Sequence, residues 1–122
     1  PTDAEWEWAA IGGSLTHGYS FSGSNNVNTV ALYEHNASGK GSVGCMEGNE
    51  LGIHDMSGNV SEWCWDLDSR GRGPSGRRLR RGGSWRDVSD GITVSRLIFD
   101  FPDSRSIVVG FRIARDTEYT NH

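Results

Sequence analysis

The chain has little of what staples a protein, spans a membrane or binds polyanions. Its two cysteines, Cys45 and Cys64, are too few for a disulfide scaffold and match no zinc spacing. Both are read as buried thiols, with a disulfide between them as the alternative. The four histidines, His17, His35, His54 and His122, never form a close ligand pair such as i, i+4, which argues against zinc or iron. No apolar run approaches the ~20 residues of a membrane span. A net charge of -4 argues against general affinity for nucleic acid or anionic membrane. There is no initiator Met and no signal-like segment, so any targeting sequence is expected to have been removed or to lie on a missing piece.

Glycine is abundant, at 17 of 122 residues, while hydrophobic residues make up only 34%. This composition predicts a single loop-rich domain around a small aromatic core, with Trp6, Trp8, Trp63, Trp65 and Trp85 as its anchors. Thr2 followed by Glu5 forms a capping box, and Gly12-Gly13 a stop, so the first ten residues read as a helix. From Gly18 to Gly48 the chain is rich in Gly, Ser and Asn and reads as a long irregular surface segment. Asp66 to Gly76 is a polar loop, and Arg77 to Trp85 reads as a strand entering a Gly82-Gly83 bend. Arg70, Arg72, Arg77, Arg78, Arg80 and Arg81 form the basic cluster; given the acidic remainder, it is read as pairing with carboxylates rather than with phosphate. Val108 to Arg115 alternates Val109, Phe111 and Ile113 against Gly110, Arg112 and Ala114, which predicts a half-buried central strand. Leu97-Ile98-Phe99 and Phe101 lie beside Asp100, Pro102 and Asp103 without a clean period, as in a loop displaying apolar side chains.

The run from Leu51 to Trp65 is the densest in chemistry. Asp55 and Glu62 can each offer a side-chain oxygen to a hard cation, and Gly58 and Val60 can turn backbone carbonyls the same way, which makes calcium the natural candidate. Alternation beyond Glu62 places Trp63 and Trp65 on one face of an extended segment, and Cys64 and Asp66 on the other, with one face in the core.

Several separated motifs occur in order: Pro-Thr-Asp-Ala-Glu-Trp-Glu at Pro1 to Glu7, Asn49-Glu50-Leu51-Gly52, Asp55-Met56-Ser57-Gly58-Asn59-Val60-Ser61-Glu62-Trp63, Arg81-Gly82-Gly83-Ser84-Trp85 and Gly110-Phe111-Arg112. Together they resemble the formylglycine-generating-enzyme, or sulfatase-modifying-factor, family, a variant of the C-type-lectin fold. The resemblance implies an α+β domain with an N-terminal helix and few short strands, of which residues 1–122 would form the C-terminal part and the N-terminal part would be a missing segment or partner. It also implies a structural calcium on Asp55, Glu62 and the Gly58 and Val60 carbonyls. The family's copper-binding cysteine pair would fall at about Asp87 and Ile92, so the reactive sulfurs are absent and formylglycine synthesis is not expected.

Between the two glycine motifs, residues 86–109 contain no Lys, Glu, Gln, Trp or Met. Those five types are the ones that mutating the adenines of an Asn codon cannot reach; ordinary usage omits all five from such a segment in roughly one case in twenty or fewer. The segment resembles the variable region of diversity-generating-retroelement variable proteins of the treponemal type. That resemblance implies a non-enzymatic protein, exported to a bacterial cell surface, that binds a protein or other macromolecular ligand through a hypervariable face. The displayed positions would be Arg86, Asp87, Val88, Asp90, Leu97, Ile98, Phe99, Asp100, Phe101, Asp103, Ser104, Ser106 and Ile107. Ser95, Arg96, Pro102 and Arg105 would be framework, while Ile92, Val94 and Val109 suit core as well as display. The alternatives are an oxygen-using enzyme of formylglycine-generating or sulfoxide-synthase type, whose metal ligands lie on the missing part, and an undiversified structural module.

Overall fold

The computed structural model describes residues 1–68, 76–103 and 105–116. The expected helix forms as α1, Asp3–Ala10, with both halves of the capping box made: Glu5 N–H donates to Thr2 Oγ1 at 3.2 Å and Thr2 N–H to Glu5 Oε1 at 2.8 Å. A second helix, α2, spans only Val27–Val30. Four strands follow: β1 Ser61–Leu67, β2 Arg78–Arg81, β3 Leu97–Asp100 and β4 Val109–Gly110. They make one mixed sheet in the order β3-β2-β1-β4, antiparallel except where β1 meets β4.

The core face of the sheet carries Cys64, Leu79 and Phe99, with Leu79 opposite Phe99 in register. Trp6 and Ala10 of α1, with Met56 and Val94, close over it. A second cluster joins Val30, Ala31, Tyr33 and Ile92. The glycine-rich stretch before residue 48 is therefore irregular but not wholly superficial: Val30, Ala31 and Tyr33 are buried. Gly58 makes that approach possible, since its φ of 76° and its packing directly on the Leu32 carbonyl leave no room for a side chain.

Four sequence expectations are corrected. Of the five tryptophans only Trp6 is in the core; Trp8 and Trp65 are exposed, and Trp63 and Trp85 are half-buried. The alternation along β1 is as predicted, but the small Cys64 takes the inner face, and the two large indoles lie outside under arginines, Arg78 over Trp65 at 4.7 Å and Arg80 over Trp63 at 5.8 Å. Cys45 is exposed and only Cys64 is buried, both as free thiols.

The segment from Val108 to Arg115 is not a central strand: β4 has two residues, at the sheet edge, and Phe111 and Ile113 are 78% and 89% exposed. The polarity is inverted because Arg112, between them, turns inward to a carboxylate. Finally, Leu97 to Asp100 is a strand rather than a loop, since β2 offers it a full antiparallel ladder. Three arginines of the cluster pair with carboxylates as expected, Arg77 with Asp68, Arg80 with Asp100, and Arg81 with Asp3 and Glu7, while Arg78 lies over Trp65 and donates to its carbonyl. Arg70, Arg72 and most of the 66–76 loop lie outside the described residues.

Candidate functional site

Two places carry the chemistry: the carboxylates after Leu51, and the segment between Gly83 and Gly110. The first sits where β1 begins. Asp55 and Glu62 are both buried, and they line a cleft of about 580 Å³ together with Val60, His54 and Arg112. Asp55 takes a left-handed backbone at φ 61° and accepts from Gly44 N–H through Oδ2 at 2.7 Å, while its Oδ1 is buried without a hydrogen-bond partner. Glu62 is saturated. Its Oε1 accepts from Trp6 Nε1 and from Arg112 Nε, each at 2.9 Å, and its Oε2 accepts from a terminal Arg112 nitrogen at 2.9 Å. The same guanidinium reaches the His54 carbonyl at 2.8 Å. Burial opposes charge on Arg112, but the hydrogen bond and attraction of Glu62, with a further pull from Asp55, outweigh it and raise its pKa.

The calcium ligands expected from the sequence are therefore brought together only in part. Asp55, Val60 and Glu62 share the cleft; Gly58 is outside its lining and donates to the Gly82 carbonyl. Calcium takes six to eight oxygens, as a rule with free carboxylates. Here Glu62 is engaged by a guanidinium, so one of the two expected carboxylates is not free for calcium, while Asp55 Oδ1 is buried without a partner. Among the described residues no three His, Cys, Asp or Glu side chains gather as a metal site.

The second place is framed at both ends. Before it, Arg81 is buried and donates to Asp3 at 2.6 Å, Glu7 at 3.0 Å and the Val94 carbonyl at 2.8 Å. Burial opposes its charge, and Asp3 and then Glu7 outweigh it, raising its pKa. The turn that follows depends on Gly83: at φ 64°, a Cβ there would lie 2.5 Å from the Gly91 carbonyl oxygen. Asp87 closes the turn, its Oδ2 accepting from Ser84 N–H at 2.7 Å and meeting Ser84 Oγ at 3.0 Å. The two positions where the resemblance would put reactive cysteines thus serve structure: Asp87 caps the turn and Ile92 is core.

Of the positions expected to be displayed, Arg86, Val88, Asp90, Leu97, Phe101, Asp103, Ser106 and Ile107 are exposed. Ile98 is half-buried, Asp100 pairs with Arg80 at 3.1 Å, and Phe99 packs on the core. Ser104 lies outside the described residues. The framework expectations Ser95, Arg96, Pro102 and Arg105 are all exposed, so burial does not separate them from the displayed set. Ile92 and Val94 are core, and Val109 is half-buried in β4. The structural role of Arg112 is not anticipated from the sequence. The signal available was an arginine set in an otherwise apolar alternation, in a chain whose buried carboxylates need a partner.

This architecture defines a loop-rich C-type-lectin-like domain of the formylglycine-generating type. Residues 1–117 match the sulfatase-modifying factor enzyme 1-like domain family, and the chain belongs to it. It is similar to Treponema denticola variable protein 1, with a TM-score of 0.80 and 35% identity over 91% of this chain and 45% of that one. It is also similar to chaperone protein LppX of Paenibacillus barcinonensis, 41% identical over 70% of this chain and 37% of that protein. A third relative is the inactive C-alpha-formylglycine-generating enzyme 2 of Bos taurus, 31% identical over 93% of this chain and 42% of that protein. The chain spans less than half the length of each of these three.

Proposed function

We propose that this domain is a non-enzymatic ligand-binding scaffold, whose residues 86–109 form an interchangeable face for a protein or other macromolecular ligand on an exported bacterial protein. The observation that carries this reading is the division of labour inside that segment. Ile92, Val94 and Phe99 anchor it to the two core clusters, while Arg86, Val88, Asp90, Leu97, Phe101, Asp103, Ser106 and Ile107 are exposed. Exposed positions between fixed anchors can change identity at little cost to folding, because surface substitutions usually shift stability by less than about 0.5 kcal/mol. Large side chains on a preorganised platform then supply affinity with little ordering cost.

The resemblance to a variable protein and the restricted residue alphabet support diversification. The loss of a paired-cysteine position to Asp87 and Ile92 supports a scaffold without oxygen chemistry. The test is to sequence the segment and its neighbouring DNA across isolates. A reverse transcriptase and a near-copy of the 86–109 coding segment, differing at adenines, together with variation confined to the exposed positions, are the expected result. Substitutions falling equally on Ile92, Val94 and Phe99, or stoichiometric copper or iron in the full-length protein, overturn it. Cell fractionation of the source bacterium tests the exported placement.

A further inference from the structure

We propose that Arg112 is the resident cation of Glu62, so that this end of the scaffold is locked by its own guanidinium in place of a metal. Three observations converge on this. Both oxygens of Glu62 are taken by Arg112 in a two-point fork, with Trp6 Nε1 as the third donor. Arg112 also holds the His54 carbonyl, so one guanidinium ties the backbone before Asp55 to the Glu62 carboxylate. And Gly58, one of the four anticipated donors, lies outside the lining of the cleft. A planar fork suits this task better than a point charge, since it satisfies two oxygens in fixed directions and keeps its charge at any physiological pH.

The position of Arg112 in the chain gives the lock a purpose. It follows β4, which pairs Val109 with Ser61 and Gly110 with Glu62, at the exit of residues 86–109. Fixing Arg112 to Glu62 fixes that exit to the start of β1. Arg81 does the same at the entry, through Asp3, Glu7 and the Val94 carbonyl. The inference does not depend on whether residues 86–109 are diversified, and its test is separate.

Thermal unfolding of the whole chain is measured in EDTA and in CaCl2 for the native protein, Arg112→Gln and Arg112→Lys, with calorimetric titration of CaCl2 alongside. The native protein is expected to melt at the same temperature in both solutions, whereas a bound calcium at about 100-fold over its Kd would raise the midpoint by roughly 5–15 °C. Arg112→Gln should melt roughly 5–10 °C lower in EDTA, with Arg112→Lys between the two. Calcium, now able to meet Glu62, should restore part of the loss in the Gln variant. Backbone amide exchange at residues 108–110 should quicken about tenfold or more in that variant, while 97–100 changes little. A native protein that loses several degrees in EDTA and regains them with one calcium per chain overturns the proposal, as does an Arg112→Gln variant that melts with the native protein. If the Gln variant fails to fold, the native comparison and the Lys variant decide the matter.

Discussion

Trp6 Nε1 donates to Glu62 Oε1 across 2.9 Å, and Arg81 lies over the face of the same indole, 5.6 Å from its centre. One side chain of α1 therefore joins the Arg81 clamp to the Glu62–Arg112 clamp, so the two ends of residues 86–109 are referenced to a single buried ring. Trp6→Phe keeps most of the packing and removes the donor. It should cost about 1.5–3 kcal/mol, the range for a hydrogen bond to a charged group, read as a lower urea midpoint with an unchanged slope. A loss below roughly 0.5 kcal/mol would mean that Arg112 alone satisfies Glu62.

Arg81 is the buried member of its network, whereas Asp3 and Glu7 are partly exposed. Arg81→Met should therefore cost about 2–4 kcal/mol, mainly through the lost Val94 carbonyl bond and the unpaired Asp3, and less than breaking a fully buried pair. Chemical unfolding measures the loss, and an unchanged midpoint would show that the clamp contributes nothing.

Phe99 and Phe101 are two residues apart and face different surroundings. Phe99→Ala opens a hole beside Leu79 and should cost about 2–4 kcal/mol. Phe101→Ala should change stability by under about 1 kcal/mol while weakening any ligand held by this face. Equal stability losses in the two variants would contradict the division between anchors and displayed positions.

The two thiols should react at different rates. Burial first, then the charge of Asp3, pushes the Cys64 thiol up to about 12, and Cys45 is exposed. At pH 8, iodoacetamide should label Cys45 and spare Cys64, as peptide mass mapping would show. The linkage has a definite sign. The folded pKa of Cys64 lies above the unfolded value of 9.0, so its contribution is complete below pH 9.0 and falls as pH rises towards about 12. Within that window the slope should approach about 1.4 kcal/mol per pH unit, and Cys64→Ala should abolish it.

Local chemistry was legible because it is settled within a few residues. Thr2 and Glu5 announce the cap of α1, Gly82-Gly83 announces the bend, and the period of two along β1 separates Trp63 and Trp65 from Cys64. The order of the motifs was enough to indicate the family. Direction was not legible in the same way. Alternation says that one face of a strand is buried without saying which; the indoles of β1 turned outward because arginines on β2 cover them, and β3 formed because β2 stood ready to pair.

The sharpest case is the cleft at Asp55 and Glu62. Sequence alone established that two carboxylates stand close along the chain and that each can offer a side-chain oxygen to a hard cation. The cation that meets Glu62 was decided fifty positions away, by Arg112 turning inward while Phe111 and Ile113 turned out. No local propensity encodes that choice; it follows from where β4 docks against β1, a contact that exists only once the chain has folded.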